Sequence, residues 1–157
     1  MSEYQYYEFV AIDEPLTPTQ MAELRARSSR ATITPTCFIN EYHWGDLKGD
    51  PSDWMRRYFD AYIYSANWCS CNFSLRFPRD VFDRETLEQF ETEDALVIDS
   101  TDKHWIVHWS LNEGDDYERF EMEVGSRWMG RLLPIRDELL RRRPALALYR
   151  LACRRGQ

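Results

Sequence analysis

The run N-E-Y-H-W-G-D-L-K-G-D-P-S-D-W, from Asn40 to Trp54, is the densest set of chemically capable side chains in the chain. Histidine changes charge near neutral pH, so His43 beside Asp46 and Lys48 could serve a hydrolase or nuclease. Two more histidines, His104 and His108, lie in K-H-W-I-V-H-W-S-L and could join them from elsewhere in the fold. Tyr42 and Trp44 are the aromatic candidates for binding in the same run.

The glycines and Lys48 also suggest a phosphate cradle, but the G-x-x-x-x-G-K-[ST] order is missing. Asp50 stands where a helix cap should be, Pro51 at the first helical position and Asp53 in the first turn. Carboxylates there satisfy the free N–H groups and the positive end of the helix dipole, so a phosphate would meet like charge.

Metal chemistry finds little support. Cys69-x-Cys71 lacks the spacing of a zinc knuckle, and no second Cys or His pair follows it. Strand alternation puts both thiols on the face of Phe73, Leu75 and Phe77, where cysteine behaves as a small hydrophobe. His104 and His108 would share one ion on a helix. On a strand they share a face but stand about 13 Å apart, too far for ligands that each lie about 2 Å from a metal. No metal and no cofactor are therefore expected. Covalent catalysis is equally unmarked: there is no G-x-S-x-G elbow, and Cys37 would need a tight chain return to meet His43. Carboxylate pairs are plentiful among 27 acids and none stands out.

The elements that must position these groups alternate. Residues 4–12, Y-Q-Y-Y-E-F-V-A-I, are aromatic and β-branched on both faces, as in a central strand. Thr17, Pro18 and Gln20 form a capping box, with Leu16 and Met21 as a staple, so a helix is expected over 18–28. Residues 31–40 read as a strand that Pro35 confines to an edge or a bulge. Trp54, Met55, Tyr58, Phe59, Tyr62 and Ile63 make one helical stripe, read as core. C-S-C-N-F-S-L-R-F-P alternates as a strand, 84–90 reads as an acidic helix, and 95–100 with 103–111 as a hairpin. Helices follow over 126–142, with Pro134 as a kink, and over 145–154. The class expected is α+β: a mostly antiparallel sheet with helices packed on one side, ending in a helical tail.

A length of 157 residues fits a single domain with a real core. No apolar run is long enough to span a membrane, and the N-terminus lacks the features of a signal peptide. Reduced cysteines in the cytoplasm are expected. Charge is uneven. Residues 1–130 hold 12 basic and 25 acidic side chains, −13, whereas 131–157 hold 8 basic, all Arg, and 2 acidic, +6. The acidic body should repel nucleic acid, so a nucleic-acid partner is not favoured. The basic tail, with Arg141, Arg142 and Arg143 as binding candidates, is expected to dock on its own acidic body or on a partner.

The segment from Ser28 to Trp68 resembles a group of uncharacterised bacterial proteins through the pieces A-T-I-T-P-T, E-Y-H-W-G-D-L-K-G-D-P, Y-F-D-A and A-N-W. The C-S-C that follows departs from that pattern. The tail A-L-A-L-Y-R-L-A-C-R-R-G-Q is similar to a segment that continues further in the group. The resemblance implies a bacterial cytosolic setting and a longer parent chain, and brings no activity. The first expectation is therefore a non-enzymatic module that binds a protein partner, its own missing C-terminal region or a second copy of itself. A hydrolase or nuclease built on the 42–48 loop with a strand histidine is the alternative, and RNA binding through the arginine-rich C-terminal helix the next.

Overall fold

The computed structural model describes residues 4–43, 47–66, 70–88, 96–111 and 126–141. In chain order the elements are β1 (Gln5–Val10), α1 (Pro18–Arg27), β2 (Thr32–Thr34), β3 (Cys37–Tyr42), α2 (Pro51–Arg57), β4 (Ala61–Ala66), β5 (Ser70–Pro78), a 3₁₀ turn (Arg79–Val81), α3 (Arg84–Glu88), β6 (Leu96–Ser100), β7 (His104–Leu111) and α4 (Ser126–Arg141). The strands form one seven-stranded sheet in the order β2-β3-β1-β4-β5-β7-β6. Every pairing is antiparallel. The α+β class and the antiparallel sheet are thus as the sequence pattern predicts.

The helices divide between both faces of the sheet rather than sharing one. On one face Phe9, Phe38, Tyr62 and Ile106 pack under Leu24 of α1 and Trp54 and Met55 of α2. On the other, Ile63, Phe73, Leu75 and Val107 pack under Leu87 of α3 and Met129, Leu132 and Leu139 of α4. The physical reason lies in β1, β4 and β7, whose apolar residues alternate to both sides. Tyr62 faces Phe9 while its neighbour Ile63 joins the opposite core. A sheet apolar on both faces must be covered on both.

Two local expectations need correction. Residues 31–40 form not one strand but β2 and part of β3, folded back at Pro35–Thr36, with Thr34↔Cys37 closing the pair. The stripe from Trp54 to Ile63 is not one helix. α2 ends at Arg57, and β4 begins at Ala61, paired on both sides by β1 and β5. Aromatic and β-branched side chains in A-Y-I-Y-S-A suit a half-buried pleated surface, and pairing on both edges decides for the strand. The helix expected over 145–154 lies outside the described residues.

Elsewhere the local chemistry works as read. Gln20 N donates to Thr17 Oγ1 at 3.1 Å, and Thr17 N donates to Gln20 Oε1 at 2.9 Å. Past the end of α1, Arg25 Nη1 donates to the carbonyls of Ser28, Ser29 and Ala31, tying the segment that leaves the helix back to its last turn. At the start of α2, Ser52 N donates to Asp50 Oδ1 at 3.0 Å. Gly49, just before, lies against Trp54: a Cβ there would stand 2.5 Å from Trp54 Cζ2. Trp54 cannot retreat, since its ring is held 5.3 Å from Phe9 and 5.0 Å from Phe38. The second glycine of the W-G-D-L-K-G-D-P run is therefore a packing requirement. Gly49→Ala should cost about 1–3 kcal/mol of unfolding free energy by overpacking, read from urea denaturation. A variant as stable as the wild type would show that the ring moves freely.

Candidate functional site

The histidines that suggested an enzyme are kept apart by the sheet. β3, which leads into His43, lies four strands from β7, about 19 Å at a strand spacing of about 4.8 Å. They also differ along the strands. Tyr42 shares its row with Gln5 and Ala66, at the end of the sheet opposite the Pro78–His104 pair. His43 is exposed, its ring 5.4 Å from Tyr4. Tyr42 is half-buried, edge-on to Tyr7 at 5.5 Å, with its hydroxyl 3.4 Å from Ser28 Oγ. Lys48 is exposed. Trp44 and Asp46 lie outside the described residues, as do Arg142 and Arg143. Arg141 is exposed and paired with Asp137 one helical turn back, at 3.1 Å.

His104 and His108 point to one face of β7, as strand alternation requires, while Trp105, Val107 and Trp109 point into the α4 core. His108 Nδ1 is 2.6 Å from Ser74 Oγ on β5. Asp99 on the neighbouring β6 completes a Ser, His and Asp set by residue type, but not by geometry. Asp99 Oδ2 accepts from Arg56 Nε and Nη2 at 2.8 and 2.6 Å, and Ser74 is only 2% exposed, so no substrate reaches its hydroxyl. Burial holds the pKa of both histidines below the ordinary value, with Arg76 reinforcing it at His104. Cys71 is buried in the α4 core beside Phe73, and burial pushes its thiol up to about 12. Among the described residues, no group of three or more His, Cys, Asp or Glu is placed to hold a metal ion.

A different set of groups converges at the Val10–Ala61–Pro78 end of the sheet. Asp60, between α2 and β4, is fully buried. Its Oδ2 accepts from the backbone N–H groups of Ile12 and Asp13 at 2.6 and 3.0 Å. Its Oδ1 accepts from Arg76 Nε at 3.0 Å and lies 3.7 Å from Arg136 Nη2. Arg76 Nη1 reaches the last carbonyls of α2, Met55 O and Arg56 O, at 3.3 and 3.2 Å. A guanidinium suits that place, since a helix C-terminus carries free carbonyls and partial negative charge. Arg136 of α4, 2% exposed, donates from Nε to Arg76 O at 2.9 Å and from Nη2 to Asp13 Oδ2 at 2.8 Å.

Above this knot lies an open groove of about 640 Å³, walled by Asp13, Glu14, Arg56, Arg57, Lys103 and His104 with Arg76 in its floor. Most of its charges are already bonded: Arg56 to Asp99, Arg76 to Asp60 and Asp13 to Arg136. Arg57 is paired with Glu23 and Asp53. Glu14, Asp102 and Lys103 are exposed and form no ion pair among the described residues. A second concavity, about 530 Å³ between α1 and α2, holds Arg57 and Tyr58 bonded to Glu23. Sequence reasoning missed Asp13, Asp60 and Arg136 as site residues. For Arg76 the available signal was the alternation of C-S-C-N-F-S-L-R-F-P, which sets it opposite the face of Phe73, Leu75 and Phe77.

The chain matches no protein family, no curated protein and no solved structure. Among the described residues no helix is long and apolar enough to cross a membrane.

The histidines give a pH dependence with a definite sign. Folding lowers the pKa of His108 from its ordinary 6.5, so the unfolded chain binds protons first as pH falls. Its contribution is complete above pH 6.5 and is lost as pH falls below that value. His108→Gln should therefore flatten the decline in urea midpoint between pH 7.5 and 5.5. An unchanged slope would mean that the buried ring titrates as it does in the unfolded chain.

Proposed function

We propose that this chain is a non-enzymatic protein-interaction or structural module, and that a segment of a partner protein sits in the groove between Glu14 and Lys103. The observation that carries the reading is the groove's charge arrangement. Its floor and one wall are locked in structural ion pairs, while exposed groups of both signs, Glu14, Asp102 and Lys103, stand at its rim. A polar, mixed-sign rim around a more ordered floor suits polypeptide recognition, where rim charges set orientation and partner choice. The hydrolase or nuclease alternative needed His43 and a strand histidine in one cleft with a carboxylate, and β7, which carries both His104 and His108, lies four strands from the β3 that leads into His43.

A photo-reactive residue substituted at Lys103 in the full chain, expressed in bacterial cells, should capture one discrete polypeptide, identified by mass spectrometry. Glu14→Lys with Asp102→Lys should abolish that capture, and the same photo-reactive group at the remote Glu41 should capture nothing. Equal capture at both positions, or none at either, counts against the groove.

A further inference from the structure

Trp54 is 4% exposed, and its indole N–H has no hydrogen-bond partner among the described residues. A buried indole ordinarily finds one, as Trp105 does at the carbonyls of Arg79 and Phe82, 2.9 and 3.2 Å away. Phe9 and Phe38 hold the Trp54 ring from the sheet side. The edge that carries Nε1 lies against Gly49, where a Cβ would stand 3.0 Å from that nitrogen. Gly49 and Trp54 both line the concavity of about 530 Å³ between α1 and α2. Among the described residues Ser65 Oγ is the one side-chain polar atom sealed away without a partner. The Trp54 N–H is therefore not sealed, and it opens to this concavity.

The charged groups of the same lining divide into committed and uncommitted. Glu23 accepts from Tyr58 and Arg57, and Asp53 accepts from Arg57. Arg27, exposed in the last turn of α1, forms no ion pair or hydrogen bond among the described residues. Asp50, next to Gly49, uses Oδ1 to cap α2 and leaves Oδ2 open. The concavity thus offers two donors, the Trp54 N–H and the Arg27 guanidinium, and one carboxylate oxygen. Such donors match a carboxylate, and such an oxygen matches an ammonium group. The lining holds one acid more than it holds arginines, so a bare anion is repelled. A ligand that carries both charges is not.

We propose that the α1–α2 concavity binds a small zwitterion of the α-amino-acid class, its carboxylate on Trp54 Nε1 and Arg27 and its ammonium group on Asp50. The volume lies within the roughly 300–1,000 Å³ common to small-molecule sites. Gly49 has a second role there, since a side chain at that position would cover the indole N–H. The site shares Arg57 alone with the lining of the groove and does not rest on the groove having a partner.

Proton–nitrogen correlation spectra of the full chain, read at the assigned Trp54 indole resonance, test it. Each common L-amino acid is titrated singly, with acetate and ethylamine as probes of the two halves. At least one amino acid should shift the resonance saturably, with a Kd of about 1 mM or tighter. Arg27→Gln and Asp50→Asn should each weaken that binding by about tenfold, the loss of one charge-assisted contact. Both positions are exposed, and Asn caps a helix as Asp does, so both variants keep the fold. No shift with any amino acid overturns the proposal. So does acetate or ethylamine binding as tightly as the best amino acid, or an affinity unchanged in either variant.

Discussion

The carboxylate of Asp60 has no exposed surface, and its two oxygens gather the elements of both layers. One oxygen takes the backbone N–H groups that follow β1, and the other takes Arg76 of β5, with Arg136 of α4 close by. The backbone of Asp60 is used as well: its N–H donates to Val10 O and its carbonyl accepts from Arg76 N, both at 2.8 Å. β1, α2, β4, β5 and α4 thus meet around one residue. Two carboxylates and two guanidiniums balance there, and such a set survives burial only because nearly every donor and acceptor is used. The same constraint explains where α2 stops. Arg76 takes its last carbonyls, and the chain must turn at once to bring Asp60 inward and start β4.

The knot also accounts for the uneven charge of the sequence. The basic C-terminal segment meets the acidic body through Arg136, whose long side chain lies over the Phe77 ring at 5.6 Å while its head pairs with Asp13. Apolar burial under Met129, Leu132 and Leu139 supplies much of the attachment of α4, and the ion pairs fix its register on the sheet. The groove above inherits its walls from these bonds. Its floor is rigid because Arg76 is committed on two sides, to a carboxylate and to a helix end. Among the described acidic and basic residues of its lining, Glu14, Asp102 and Lys103 are exposed and form no ion pair.

Legibility in the sequence followed the range of the interactions. Contacts closed within a few residues could be read: the Thr17–Gln20 box, Asp50 as the α2 cap, the β6–β7 hairpin and the inward face of Cys71, Phe73, Leu75 and Phe77. The antiparallel α+β class followed from them. β4 was hidden because Tyr62 and Ile63 continue a helical spacing begun at Trp54, and only pairing with β1 and β5 reveals them as residues on opposite faces. The helices on both faces did leave a mark in β1, which is aromatic and β-branched to both sides, but one strand does not say which helix covers which face. The knot was out of reach because its partners are far apart in the chain, Asp13 with Arg136 being 123 positions apart. A lone Asp or Arg carries no local mark of such a meeting. The 40–54 run drew notice through residue types, and its described part is used in capping α2 and seating Trp54.

The most direct test of the account is the equilibrium urea unfolding of Asp60→Asn, which keeps the shape of the side chain and removes its charge. Arg76 and Arg136 would then be buried beside a single remaining carboxylate, so a loss of about 3–5 kcal/mol is predicted. A loss within about 0.5 kcal/mol of zero, the range of an ordinary surface substitution, would contradict the claim that this carboxylate holds the two layers together.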